Sequence, residues 1–335
     1  EGGGQRVRGC PLGLPGAMSS SGLAKVPPLS LWQRRQGMHQ QQQQLQRQQQ
    51  QLAISVEETN KPRCEVTPGS TTSTAFDSEA DSLSDAGSQQ LTDMGYELGD
   101  IVGSGSGSVV YRAKRRSDGQ AVAAKRICSQ EEELRRLAHT EYNVMKSLVH
   151  SSILSVFALC DFTSELWLCM EWCGDGSVES WVQRRGPFPE LRAQALTAQL
   201  VGGLDFMHQK RIVHRDLKPA NLLLQQGACR LKIGDFNSSK RIGNEEGQSV
   251  MLTDRGTHLY SAPELLFSQQ WNERVDIWAC GLCTYFMLKA ALPFDMGSRA
   301  VRRTLQMGKL PDSCSWSQMS SDIRDFIQQC LTVDM

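Results

Sequence analysis

Four short stretches of the chain bring chemically capable residues together at close spacing. The first is Gly103-Ser104-Gly105-Ser106-Gly107-Ser108, set within Tyr96–Arg112, whose β-type residues predict a strand, a turn and a second strand. Glycine has no Cβ, so such a turn can fold tightly over phosphates and present backbone N–H groups to them. A flexible Gly/Ser hairpin has the same composition. The second stretch is Val122-Ala123-Ala124-Lys125, an apolar strand that ends in an ammonium group. A charge there is costly unless it pairs or reaches water, so Lys125 is either a solvated strand end or half of an ion pair. Glu141 is the favoured partner. It lies in Glu131–Leu148, where Leu134, Leu137, Val144, Met145 and Leu148 have helical spacing. Glu131, Glu132 and Glu133 compete for the role, but Glu141 stands at the right distance from His150. A Lys–Glu pair between strand and helix would hold an ammonium against the phosphates of a nucleotide.

The third and fourth stretches are His214-Arg215-Asp216-Leu217-Lys218-Pro219-Ala220-Asn221 and Asp235-Phe236-Asn237. The longer one matches HRDxxxxN at every fixed position and so resembles the catalytic loop of the eukaryotic protein kinase family. Asp235-Phe236-Asn237 takes the place of that family's DFG. Gly256-Thr257-His258-Leu259-Tyr260-Ser261-Ala262-Pro263-Glu264 resembles GTxxYxAPE, and Asp276-Ile277-Trp278-Ala279-Cys280-Gly281 matches DxWxxG. Leu166 to Gly174 has the form of the kinase hinge. One departure lies in the glycine turn: GxGxxGxV would put its third glycine at Ser108, and glycine falls at Gly107 instead. Together the motifs cover roughly residues 96–335 in the family's order.

The resemblance implies roles for individual residues. Asp216 would orient a substrate hydroxyl and accept its proton, while Lys218 would neutralise the γ-phosphate of ATP. Asn221 and Asp235 would hold Mg2+, a hard cation that takes oxygen donors. ATP would lie against Val102, Gly103, Ser104, Gly105, Val110, Ala123, Lys125 and Glu141. Met170 would be the gatekeeper, with Glu171 and Cys173 in the hinge beside the adenine. His214 would pack beneath the loop, and Asp276 would hydrogen-bond its backbone. At Asn237, where glycine is usual, Asn is among the residues most tolerant of left-handed backbone.

Lys218 and Thr257 favour serine or threonine of protein substrates over tyrosine as acceptor. Ala220 stands where many arginine-directed kinases carry glutamate. Arg215 precedes Asp216, the arrangement in which a phosphorylated activation segment docks on the arginine. Thr253, four residues before Thr257, is the expected phosphosite, filled by an upstream kinase or by autophosphorylation. An exposed threonine in a polar loop is the plain alternative. Two further readings compete with the enzyme: a pseudokinase, for which Ser108 and Asn237 speak, and a glutamine-rich scaffold. Against the pseudokinase stands the complete set Lys125, Glu141, Asp216, Lys218, Asn221 and Asp235.

These residues need a scaffold, and the family implies an α+β, bilobal one. A small antiparallel β lobe (about 96–170) and a hinge (171–174) lead into a larger, mainly α-helical lobe (about 175–335), with ATP between them. Residues 1–94 are expected to form a disordered tail. Gly, Pro and Ser dominate its start, and a glutamine tract runs from Gln40 to Gln51, broken by Leu45 and Arg47. Such composition buries too little apolar surface to offset the entropy of ordering. The tail's charge is polarised, with six basic residues against Glu1 up to residue 55, then eight acidic against two basic up to residue 95. The whole chain balances 36 basic against 36 acidic residues, which gives no argument for nucleic acid or membrane as partner.

Eleven cysteines without paired spacing fit a reducing compartment, so a cytoplasmic or nuclear protein is expected. The one CxxC, Cys280 to Cys283, reads as small residues inside a helix, with a redox site as the rival. Its apolar run, Ile277–Leu288, is a dozen residues long against the roughly 20 that cross a bilayer. At the other end Cys330–Met335 resembles the point where kinases continue as a DPxxR-type segment. The expectation is therefore a chain that lacks the domain's last part, leaving Glu264 without its usual arginine.

Overall fold

The computed structural model describes residues 87–105, 108–128, 132–163, 165–242, 259–267, 271–311 and 316–333. The small lobe is a five-stranded antiparallel sheet of β1 (Tyr96–Gly105), β2 (Ser108–Arg115), β3 (Ala121–Cys128), β4 (Val156–Asp161) and β5 (Glu165–Glu171). Its order is β1-β2-β3-β5-β4. Between β3 and β4 runs α1 (Glu132–Ser147), packed on one face of the sheet.

Alternation along the strands explains the layering, because successive side chains point to opposite faces. On β5, Leu168 and Met170 face the core shared with α1, while Trp167 and Cys169 face the other way. On β3, Ala123 joins the first set, and Val122 and Ala124 the second. The outer face is not bare. Residues 87–93 form a helical segment whose Leu91 is fully buried against Tyr96, Val122, Ala124, Trp167 and Cys169. A Cβ at Gly87 would collide with the Glu165 carboxylate, which itself pairs with Arg126. Residues 87–93, which the sequence reading placed in the tail, thus pack on the sheet. The rest of the tail, including the glutamine tract, lies outside the described residues.

The larger lobe centres on two long helices, α3 (Glu190–Gln209) and α5 (Arg274–Lys289), which pack together. Before α3 come the two-residue strand β6 (Gly176–Ser177) and α2 (Val178–Arg185), the latter closed by a capping box between Ser177 and Ser180. Strands β7 (Ile212–Val213), β8 (Leu222–Gln225), β9 (Arg230–Ile233) and β10 (Lys240–Arg241) follow, pairing as β6-β8-β9 and β10-β7. The lobe ends with α4 (Pro263–Phe267), α6 (Arg299–Gln306) and α7 (Ser321–Cys330). Helices α5 and α7 approach so closely that a Cβ on Gly281 would sit 2.6 Å from Cys330 Cβ. Cys280 and Cys283 are buried free thiols in α5, as the packed-helix reading expects.

One core cluster passes from lobe to lobe, joining Ala123, Leu168 and Met170 to Leu222, Ile233 and Phe236. An isolated parallel bridge between Ile153 and Ile233 adds a backbone link at the same level. No helix of the described residues is long and apolar enough to cross a membrane.

Candidate active site

The segment after β7 has little regular structure of its own, yet its conformation is fixed from below. Asp276, fully buried on α5, accepts from the backbone N–H of His214 at 2.9 Å and of Arg215 at 2.9 Å. The His208 ring lies 2.8 Å from the same carboxylate. Burial pushes the Asp276 carboxyl upward, but the His208 hydrogen bond, the charges of His208 and His214 and the loop amide hold it below its ordinary value overall. The expected clamp on the loop backbone is present. Arg215 adopts a left-handed φ of 68°, a conformation that persists in a non-glycine residue only when its surroundings impose it.

The catalytic-loop side chains converge at the mouth of this loop. Lys218 Nζ stands 2.9 Å from Asp216 Oδ2. Asn221 Nδ2 donates to the Asp216 carbonyl at 2.8 Å and to Asp216 Oδ2 at 3.3 Å. The Asn221 carbonyl accepts from Gly234 N–H at 2.9 Å, which brings Asp235 beside the loop. His214 is buried, with its Nε2 3.0 Å from the Gly234 carbonyl and its ring against Phe236. This is the packing role expected of it.

Across the cleft Lys125 meets Glu141 at 3.4 Å, the ion pair chosen from the sequence over Glu131, Glu132 and Glu133. Burial works against the Lys125 ammonium, but the charges of Glu141 and Asp235 outweigh it and raise its pKa above the ordinary value. Asp235 lies close enough to contribute to that shift, while burial pushes the Glu141 carboxyl above its own ordinary value. Of the helical positions expected over Glu131–Leu148, Met145 and Leu148 are buried and Val144 packs against the same core, whereas Leu134 and Leu137 face solvent. The apolar spacing pointed to a wider stripe than the one that packs.

Asp235 has a left-handed φ of 60°, whereas Asn237 is not among the left-handed residues. The tolerance argued for Asn237 from its residue type is therefore not the property this segment uses. Its side chain acts instead: Asn237 Nδ2 donates to Asp235 Oδ1 at 2.8 Å. Asp235 and Asn221 together offer a carboxylate and an amide oxygen, a donor set that fits Mg2+.

The nucleotide side is less enclosed. Val102, Gly103, Ser104 and Gly105 lie on β1, opposite Val110 and its neighbours on β2. A Cβ at Gly103 would meet no described protein atom within 4 Å, so that backbone is open on this side. Residues 106 and 107 lie outside the described residues, as do Thr253 and Thr257. Met170 and Ala123 are buried on neighbouring strands, paired in register. At the connector, Cys173 is buried and its thiol is pushed up to about 12.

Three residues here carried no sequence signal. Lys232 pairs with Glu171 at 2.8 Å, and Gln225 Nε2 donates to Glu171 Oε1 at 3.0 Å and to the Trp172 carbonyl at 2.9 Å. His208 braces Asp276. Their partners lie more than fifty residues away in sequence, and no local pattern reveals such pairs. Glu264, expected to lack its partner, is half-buried and engaged in an interaction.

Comparison with known proteins gives this geometry a family. The family described as "Protein kinase domain" matches residues 96–335. The "Serine/threonine-protein kinase H1 homolog" of Danio rerio is 31% identical over 245 residues, which cover 71% of this chain and 57% of that protein. "Serine/threonine-protein kinase ATG1a" of Arabidopsis thaliana is 33% identical over 204 residues, 60% of this chain and 32% of its own length. "Calcium/calmodulin-dependent protein kinase type 1" of Caenorhabditis elegans is 32% identical over 247 residues, covering 71% of this chain and 69% of that protein. The chain thus matches just over half of the first relative and about a third of the second. With the motifs in order, the lobes assembled and the polar set converged, the chain belongs to the protein kinase domain family, and its resemblance is to the serine/threonine type.

Proposed function

We propose that this chain transfers the γ-phosphate of ATP to serine or threonine hydroxyls of proteins. The observation that carries the reading is the joint placement of Asp216, Lys218 and Asn221 on a loop whose backbone is held by buried Asp276. Phosphoryl transfer needs positioning and stabilised charge more than covalent help from the protein. Asp216 would take the hydroxyl proton as the oxygen bonds to phosphorus and the bond to the β-phosphate oxygen breaks, leaving ADP. Lys218 would offset charge on the transferred group, and Lys125, held by Glu141, would bind the other phosphates. Mg2+, when bound by Asp235 and Asn221, supplies the charge neutralisation that ammonium groups alone do not.

The acceptor class rests on Lys218 and Thr257, and the names of the relatives agree with it. Arg215 supports a regulatory reading as well. Its guanidinium lies 5.0 Å from the Trp271 ring, its Nε donates to the Ser238 carbonyl at 2.6 Å, and its buried Nη1 has no partner among the described residues. Phosphate on Thr253 would supply that partner and order the activation segment. The eight free cysteines of the described residues support a reducing compartment, cytoplasm or nucleus.

The test is transfer of labelled phosphate from Mg-ATP to casein and myelin basic protein, with the labelled amino acid identified. Phosphoserine or phosphothreonine that disappears in Asp216→Ala is the expected result. Phosphotyrosine, or label that survives the substitution, would contradict the proposal. Thr253→Ala is expected to lower activity, and full activity with no phosphate at Thr253 would remove the regulatory reading.

A further inference from the structure

We propose that the exposed basic face of α6 docks an acidic segment of the protein substrate, away from the acceptor hydroxyl. This rests on the kinase reading above and names the substrate class it would select.

Three arginines, Arg299, Arg302 and Arg303, fall at i, i+3 and i+4 on α6, and Lys309 follows shortly after the helix ends. All four are exposed. Among the described residues none of them forms an ion pair, and α6 itself carries no acidic residue. Like charges at this spacing disfavour a helix, so the arrangement does not serve α6's own stability. It leaves a positive field directed at solvent. Arginine's planar fork matches carboxylates in pairs of parallel hydrogen bonds, which suits a run of Asp and Glu better than an isolated charge.

The opposite face of α6 settles what kind of partner fits. Leu305 is fully buried and Val301 packs beside it in the larger lobe's second core cluster. The apolar side is already used, so the helix has no free face to insert into a bilayer, as an interfacial helix does. What it offers is a polar, rigidly seated surface.

Its place in the lobe connects it to the reaction. Helix α6 packs against α4, and Leu265 of α4 lines the same small cleft as Asp216. Packed helices lie about 8–10 Å apart, so α6 is roughly two such spacings from the catalytic carboxylate. About six extended residues, at ~3.3 Å each, cover that reach. Within the loop, Ala220 offers no carboxylate to attract a basic substrate. The exposed charges on α6 itself are all positive, with Asp295 the exposed carboxylate just before the helix, where it accepts from Gly297 N–H.

The experiment uses the full chain and two sets of peptides with the same serine acceptor. One set carries a block of Glu and Asp about six residues from the serine, on either side, and the other carries Gln and Asn instead. The expected result is a KM about tenfold lower for an acidic-block peptide, with similar kcat, and a preference that shrinks as salt is raised. Arg299→Gln/Arg302→Gln/Arg303→Gln is expected to erase the preference while leaving kcat and the neutral-peptide KM unchanged. The corresponding arginine-to-lysine variant should restore part of it, and melting curves of all forms should coincide. Equal KM values for the two peptide sets in the wild type would overturn the proposal. So would a triple variant that keeps the preference, or one whose only loss is binding to phosphatidylserine vesicles or to RNA. A triple variant faster than wild type on the neutral peptide would make the chain's own acidic stretch, residues 57–85, the occupant, and would overturn the substrate assignment. No transfer to any peptide by the wild type is a different failure, that of the kinase reading itself.

Discussion

At the scale of single residues, the site depends on a few groups held by unlike means. Asp276 accepts two loop amides and a histidine with no access to water. Replacing it with Asn removes a buried charge and mispairs one of its donors, a change expected to cost about 3–5 kcal/mol. The sign of its pH dependence follows from its lowered pKa. Its contribution is fully present above the unfolded carboxyl value of about 3.9 and is lost as pH falls through the lower folded value. Urea melts of wild type and Asp276→Asn should therefore differ most at neutral pH and converge only below about pH 4. A gap that closes between pH 7 and 5 would contradict this. Asn237 supports a second prediction. Its amide holds one oxygen of Asp235 at 2.8 Å, so Asn237→Gly should free that carboxylate and raise the Mg2+ concentration needed for half-maximal activity several-fold. Thermal stabilisation by Mg-ADP, measured alongside, should weaken in the same direction, and an unchanged Mg2+ requirement would dismiss the role. The convergence of Asp216, Lys218 and Asn221 was legible in the sequence because HRDxxxxN fixes residue type at fixed spacing. The work of Asn237 was not, because residue type suggested a backbone property and only geometry shows a side-chain hydrogen bond.

At the scale of elements, β1, β2, β3 and β5 were legible as β-type and apolar runs and α1 from helical spacing, while the antiparallel lobe came from the family resemblance. The Lys125–Glu141 pair between strand and helix was legible too. The helical segment 87–93 was not. It is short, and its neighbours rich in Gly, Ser, Thr and Asp make the region read as disordered. A single leucine carries its packing, with Leu91 fully buried on the sheet's outer face. Leu91→Ala should therefore destabilise the chain by about 2–5 kcal/mol, the usual range for a buried leucine, and lower its melting temperature accordingly. A melting temperature equal to wild type would show that the segment merely rests on the sheet. Leu134 and Leu137 give the opposite lesson. Their spacing on α1 is as regular as that of Met145, yet they face solvent, because the helix is seated by Ala138, Glu141 and Met145 with Tyr142, Val144 and Leu148 beside them. Periodicity locates a helix more securely than it locates which of its apolar residues pack.

At the scale of the whole molecule, the two lobes meet through one apolar cluster and one polar cluster. Ala123, Leu168 and Met170 share a core with Leu222, Ile233 and Phe236, and directly beside them Lys125 feels both Glu141 and Asp235. The bilobal fold was legible because motifs from both lobes occur in order along the chain. The brace that Gln225 and Lys232 place on the connector was not, since it joins positions far apart in sequence. In the proposed reaction Asp216 serves the chemical step while Lys125, Glu141 and Asp235 serve nucleotide binding. The most direct measurement pairs kcat for phosphate transfer with Mg-ATP affinity in wild type and Asp216→Ala. The expected result is a kcat loss of about 10²–10⁴-fold, the range for removing a general base, with Mg-ATP affinity changed by less than a factor of about three. An Asp216→Ala variant that keeps its turnover, or a wild type that binds no Mg-ATP, would contradict it.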